Sequence, residues 1–352
     1  MVDSLFSLCI SKEENAEISR VPNPEKIKDV IWDMHPLKAP GPDGLPGLFF
    51  KKYWSTIRSQ VSLAIQNFFK EGWLLPQVNH TFITLIPKKL SACNFNQFRP
   101  ISLCNFYYNV IVKILVNRLR PLLSRIIDPS QSAFVPNRWI IENVLVAHEV
   151  VHSFKKSKRK KSFVGLKLDF HKSYDCLEWE FIHRVLKAVG FDDNVAKLIN
   201  QCLSTVRFTL LLNGTKSSSI TPSKGIRQGD PLSPYLFILC IEVLARLINR
   251  ETDAGKIHGA KIATGAPGIT KLVYADDVLL FYGAKISEID VLMSCVNKLC
   301  GWSGLSVSTE KLGLFVSKGV HSQFSRQVKN LWGLKHLDQR SEVFGSFSLL
   351  IC

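Results

Sequence analysis

The nine cysteines of this chain, at 9, 93, 104, 176, 202, 240, 295, 300 and 352, include no CxxC pair and are odd in number. That pattern excludes a zinc-knuckle or disulfide framework and leaves reduced core thiols as the expectation. The GxxxxGK[ST] spacing of a phosphate loop is also missing. Residues Met1 to Ile10 have no basic lead and no long apolar run, which argues against a secretion signal. The most apolar later stretch, Tyr235 to Ile248, is too short to span a bilayer and carries Glu242 and Arg246. No internal repeat appears. Together these absences predict an intracellular protein, in nucleus or cytoplasm, not secreted and with no membrane partner.

Acidic residues are scarce beside basic ones, 29 Asp and Glu against 45 Lys and Arg, a net charge of +16. Neutralising phosphates releases counterions, so such an excess favours a polyanionic partner, nucleic acid ahead of an anionic membrane surface. The 352 residues are 46% hydrophobic, enough for a sizeable core and about two domains.

Two β-prone apolar runs meet at adjacent acids in Ile269 to Gly283, read as a hairpin with Asp276 and Asp277 at its bend. Two like charges close together in poorly solvated surroundings require a shared proton or a cation, and hard oxygen donors suit Mg²⁺. The dipeptide alone also fits an ordinary turn between core strands, so the case rests on the rest of the chain.

Pro24 opens a helix that Pro36 closes, and residues 38–46 (KAPGPDGLP) form a stiff, shaped connector. Residues 81–89 predict a strand ending in Lys88 and Lys89, and 98–103 a second strand carrying Arg99. A hairpin of the two gathers these cations into a plausible triphosphate clamp. Tyr107 to Ile127 reads as one long amphipathic helix bearing Arg118, Arg120 and Arg125. His148-Glu149-Val150-Val151-His152 matches HExxH, but no third ligand follows at a zinc-protease spacing. The plainer reading is the exposed face of a helix that buries Val144, Leu145, Val150 and Val151.

The cationic run Lys155 to Lys161 fits a solvated loop, a phosphate contact or a nuclear-localisation-like patch. Phe163 to Phe170 predicts a strand closing on Asp169, after which residues 171–175 turn into a helix that runs to about Gly190. Val206 to Ser219 reads as a hairpin turning at Asn213-Gly214. In the loop 224–234, Gly229 lets backbone approach a ligand, with Arg227 and Gln228 as donors beside it, and the loop leads into a helix over Tyr235 to Asn249.

In chain order, KAPGPDG (38–44), LIPKK (85–89), FRPISL (98–103), QSAFVPNR (131–138), LDFHKSYD (168–175), GIRQGDPLSPYLF (225–237), YADD (274–277) and SGLSVSTEK (303–311) jointly resemble the reverse transcriptase of non-LTR (LINE-type) retrotransposons, particularly plant ones. The resemblance covers most of residues 24–318. It implies an α+β right-hand fold, with an N-terminal extension and the start of the fingers over 1–66, fingers over 67–165, palm over 166–318 and a divergent tail over 319–352. The implied activity is RNA-directed DNA polymerisation on an RNA template and DNA primer with dNTP substrates. Its implied site has Asp169 and Asp276 as principal ligands of two Mg²⁺ ions, Asp277 in support, and the Phe170 carbonyl as a further ligand. One metal activates the primer 3′-hydroxyl and the other neutralises the leaving pyrophosphate. By motif position, Tyr174 stacks under the incoming sugar, Lys88 and Arg99 hold the triphosphate, Gln228 and Gly229 sit near nucleotide and template, and Lys311 is the acid toward pyrophosphate.

The chain departs from the family pattern at Asn137 (usually Gly), Glu142 (usually Asp), Ser308 (usually Asn) and Leu312 (usually Ser or Thr). The match fades after about Lys318, with no primer-grip hairpin, thumb, endonuclease, RNase H or zinc knuckle expected in the sequence. The rival readings are a catalytically impaired relic that only binds nucleic acid, an RNA-templated RNA polymerase, and a zinc protease. Ala275 and Tyr174 weigh against the second: such enzymes usually carry Gly at the former position, and the latter would obstruct ribonucleotides.

Overall fold

A computed structural model describes residues 2–156, 162–263, 265–317, 320 and 322–333. Residues 157–161 of the cationic run and the tail from 334 onward lie outside the described residues. The described chain is α+β, with strands β1 (His80–Pro87), β2 (Phe98–Cys104), β3 (Phe163–Leu168), β4 (Arg207–Leu212), β5 (Thr215–Lys216), β6 (Lys271–Tyr274), β7 (Asp277–Gly283) and β8 (Gly313–Val316) set among helices. It gathers into two compact units. The first takes the described residues of Met1–Leu5, Leu123–Cys176 and Phe237–Cys352, and the second Phe6–Leu122 and Leu177–Leu236.

In the first unit an antiparallel sheet runs in the order β6-β7-β3-β8. Its central strands read as continuous apolar runs because both faces are covered. Val164, Leu166 and Leu168 on β3, and Val278, Leu280 and Tyr282 on β7, are fully buried. On the opposite face Leu279 and Phe281 pack against Val144, Ala147, Val150 and Phe154 of the helix Ile140–Lys156. Each such Leu or Phe stabilises by about 1.5–3 kcal/mol over its exposed state. Leu145 differs from expectation: it is 60% exposed, because it falls outside the 144/147/150/154 stripe.

In the second unit the sheet order is β2-β1-β4-β5. β1 and β2 form the expected antiparallel hairpin, with Ile86 opposite Arg99. β4 and β5 turn at Asn213-Gly214, both at positive φ, the pairing that this dipeptide favours. β1 also pairs in parallel with β4, Phe82 opposite Thr209, a long-range pairing that no local pattern announces. The helix Pro24–Asp33 starts where Asn23 accepts from the Lys26 amide at 2.8 Å, with Pro at its first position.

Two expected helices are broken. The helix begun at Phe106 ends at Leu119, and a 3₁₀ turn over Arg120–Leu122 precedes Leu123–Ile126, because Pro121 has no N–H to continue the ladder. The helix Ser173–Cys176 stops before Leu177, and a new one spans Trp179–Val189. Leu177 is fully buried and its carbonyl accepts from the Gly225 amide at 2.8 Å, so burial and pairing displace the helical path. The helix Ser233–Asp253 keeps Glu242 buried, accepting from the Asp128 amide (2.9 Å) and Arg246 (2.9 Å).

Among the described cysteines, 104, 202, 240 and 295 are buried and 9, 176 and 300 half-buried; Cys93 is exposed and corrects the expectation of core thiols throughout. Among the described residues no helix is long and apolar enough to cross a membrane.

Candidate active site

β6 and β7 are joined by the two residues Ala275 and Asp276, with Tyr274 opposite Asp277. Asp276 therefore stands in the turn itself and Asp277 opens β7. Ala275 has φ +53, a left-handed conformation that costs a residue with a Cβ about 1–2 kcal/mol. On the neighbouring strand Leu168 is opposite Val278, so Asp169, the next residue, reaches the same end of the sheet as Asp277.

Asp276 and Asp277 both feel the negative charge of Asp169. Asp276 is held above the usual carboxylate range, first by burial and then by the negative charge of Asp169, with Lys311 and Ser173 opposing. The Ser173 hydroxyl faces the Asp276 carboxylate at 3.5 Å. Asp277 is pushed up to about 6, again chiefly by burial, with Lys167 opposing and Asp276 and Asp169 adding. Lys311 Nζ donates to both oxygens of Asp169, at 2.9 and 3.1 Å.

A local backbone ladder delivers Lys311. The Ser308 amide donates to the Asp169 carbonyl and the His171 amide to the Ser306 carbonyl, both at 2.8 Å, bridging Phe170 to Val307. The departure at Ser308 leaves this ladder intact, because the bond uses the main chain. Asn137 has φ +61, a region Asn enters more readily than most residues, which accommodates its replacement of Gly. Phe170 has a buried side chain. Tyr174 lies on the same unit, its ring stacked on Phe237 with centroids 5.2 Å apart and planes at 20°.

Mg²⁺ fits the donor chemistry of this edge, which is all carboxylate oxygen. The burial of Asp276 and Asp277 beside a third carboxylate, which disfavours their charged forms, fits it too. The ligand set is not preassembled: among the described residues no three His, Cys, Asp or Glu side chains stand in a metal-binding group, and Lys311 occupies the oxygens of Asp169. His148 and His152 are exposed on the helix Ile140–Lys156 and join no such group.

The other predicted site residues, Lys88, Arg99, Gln228 and Gly229, belong to the second unit. Lys88 and Arg99 are exposed at the end of the β1/β2 hairpin. Ser102 of β2 donates its amide to the Gln228 carbonyl at 2.8 Å. Gly229 has φ +101, and a Cβ there would sit 3.1 Å from the Ser102 carbonyl, so glycine is what lets the loop lie on β2. Arg227 corrects the sequence expectation. It is a buried anchor and not a ligand donor, paired with Asp230 at 2.7 Å and donating to Asn79 (2.7 Å), Thr81 (3.1 Å) and the Cys202 carbonyl (3.1 Å).

Sequence reasoning missed Ser173, Lys167, Gln131 and Asn143. Gln131 Oε1 accepts from the Ala275 amide at 3.1 Å, and Asn143 Nδ2 donates to the Val273 and Ser130 carbonyls at 2.9 Å. QSAFVPNR marked the segment, but only tertiary pairing shows that it supports the acidic turn.

Residues 86–332 match the family described as reverse transcriptase (RNA-dependent DNA polymerase). The chain is 28% identical over 243 residues to a Xenopus laevis transposon TX1 uncharacterized 149 kDa protein, covering 69% of this chain and 18% of that one. It is 28% identical over 287 residues to the Drosophila melanogaster retrovirus-related Pol polyprotein from the type-2 retrotransposable element R2DM, covering 81% and 25%. A 67-residue stretch is 49% identical to an uncharacterized mitochondrial protein of Arabidopsis thaliana, covering 19% of this chain and 55% of that one. The chain thus spans a quarter or less of the two long relatives.

Proposed function

This chain belongs to the reverse transcriptase (RNA-dependent DNA polymerase) family, and we propose that it is the polymerase portion of a non-LTR retrotransposon protein, extending a DNA 3′-hydroxyl on an RNA template. The observation that carries this reading is that Asp169, Asp276 and Asp277 lie at one end of the sheet, with the latter two raised chiefly by burial and further by neighbouring carboxylate charge. Acids placed at such a cost in charge are matched to a cationic cofactor and a polyanionic substrate. The TX1 and R2 relatives support the retroelement assignment, and the Arabidopsis match supports a plant source. In this reading 67–165 are fingers and 166–318 palm, with 1–66 leading into the fingers and 319–352 a tail.

Asp169, Asp276 and the Phe170 carbonyl would hold Mg²⁺, with Asp277 in support; when bound, the metal supplies an acidified 3′-hydroxyl and charge neutralisation on the triphosphate. The chain's own groups do the rest. Lys311 exchanges its partner: it leaves Asp169 and becomes the ammonium donor facing the departing pyrophosphate. Tyr174, fixed against Phe237, presents a rigid ring beneath the incoming sugar and bars a 2′-hydroxyl. Lys88 and Arg99 take the triphosphate oxygens, and Gln228 with Gly229 offers a close backbone approach for nucleotide and template.

Primer extension on poly(rA)/oligo(dT) with Mg²⁺, comparing the chain with Asp276→Asn, tests the proposal. Extension by the chain and its loss in the variant are expected; extension that survives the substitution overturns the carboxylate assignment. If neither protein extends but both bind duplex with steep salt dependence, the chain is a nucleic-acid-binding relic.

A further inference from the structure

The residues that hold the acidic turn in place come from a segment more than 130 positions upstream. Ser130 and Ser132 run beside β6: the Val273 amide donates to the Ser130 carbonyl at 2.9 Å, and the Ser132 amide to the Val273 carbonyl at 3.1 Å. Between them Gln131, 3% exposed, crosses to the turn. Its Oε1 accepts from the Ala133 amide at 2.9 Å and from the Ala275 amide at 3.1 Å. Two donors converging on one atom identify it as the carbonyl oxygen. The amide Nε2 is buried and has no partner among the described residues. A buried donor without a partner is costly, so the side chain is placed there for its oxygen.

That oxygen meets the one turn residue under backbone strain. Ala275 holds φ +53 without the freedom of glycine, and the hydrogen bond its amide donates to Gln131 Oε1 opposes relaxation of the turn. Relaxation would swing the next residue, Asp276, away from Asp169 and from Ser173. We infer that Gln131 is a positioning residue for the metal-binding edge, clamping Ala275 in its left-handed conformation so that Asp276 is presented to the cation. The inference rests on the polymerase reading for its catalytic consequence but not for its effect on cation affinity.

The test uses the full chain with Gln131→Met, which keeps length and burial but removes the acceptor, alone and combined with Ala275→Gly. One buried hydrogen bond lost from a strained turn corresponds to about a ten-fold effect. In primer extension Gln131→Met is expected to lower kcat about ten-fold and to shift the Mg²⁺ midpoint upward, with the KM for dTTP within about two-fold. Ala275→Gly removes the strain, because glycine enters the left-handed region freely, and should restore most of the lost kcat. A merely structural role would lower the active fraction without moving the Mg²⁺ midpoint, and that result overturns the inference. Terbium luminescence titration reads cation affinity with no polymerisation at all. About ten-fold weaker Tb³⁺ binding in Gln131→Met is expected, and equal affinity overturns the clamp. If the unsubstituted chain fails to extend primers, the polymerase reading falls, while the terbium comparison still decides the role of Gln131.

Discussion

Arg227→Met removes a guanidinium whose side chain is 5% exposed and which is paired with an Asp230 side chain that is 4% exposed. The substitution takes away every donor that Arg227 offers to Asn79, Thr81 and Cys202. Among the described residues it leaves the Asp230 carboxylate in the interior with the Tyr108 hydroxyl (2.7 Å) and the Leu232 amide (2.8 Å). Breaking a buried ion pair from one side costs about 3–5 kcal/mol, because the remaining charge has lost its partner. At roughly 2–4 °C per kcal/mol for a unit of this size, the melting temperature should fall by about 6–20 °C. Arg227→Lys should recover little, since one ammonium cannot reproduce the planar fork that reaches several acceptors. Arg227→Met with Asp230→Leu should melt above the single variant, because no charge is left stranded. Thermal unfolding followed by circular dichroism, without divalent ions, measures all four proteins. A single variant that melts within 2 °C of the parent, or a double variant that melts below it, refutes the anchor role. The same loss should raise the KM for dTTP in primer extension, since Arg227 ties down the loop that carries Gln228 and Gly229.

Burial holds Asp277 near 6 against an ordinary 3.8, so the folded chain binds this proton more tightly than the unfolded one. Its contribution to stability is present below pH 4 and is lost as pH rises to about 6. Asp277→Asn should therefore match the parent at pH 4 and exceed it at pH 7 by up to about 3 kcal/mol; urea midpoints that move in parallel across this range contradict the shift. Gly229→Ala forces a Cβ into a φ of +101 beside the Ser102 carbonyl and should cost about 1–3 kcal/mol, while reducing extension; an unchanged urea midpoint with normal extension counts against the loop packing on β2. His148→Ala should leave zinc content and extension unaltered, and stoichiometric zinc lost with the substitution would revive the HExxH reading.

Several elements were legible because their causes are local. Two β-prone apolar runs and the Asp-Asp dipeptide announced the β6/β7 bend, Asn213-Gly214 its hairpin, and Asn23 with Pro24 a helix start, each resting on contacts within a few residues. Charge was legible too, since an excess of lysine and arginine is a property of composition. The order of the motifs pointed to the acids, but spacing along the chain says nothing of distance in space. Arg227 illustrates the limit: in the sequence it is a cation beside a glycine loop, and its burial depends on Asn79, Thr81, Tyr108 and Cys202, which arrive from three separate stretches.

Sequence alone was enough for the hairpins and the helix starts, because these follow from backbone preference, and it was enough to nominate the acids and a polyanionic partner from side-chain chemistry and net charge. Folding decided the parallel pairing of β1 with β4, the helix breaks at Leu177 and Arg120, the interleaving of two units along one chain, the ion pair of Lys311 with Asp169, and the clamp of Gln131 on Ala275. Each of these depends on which distant groups lose water together, and that is settled by packing in three dimensions.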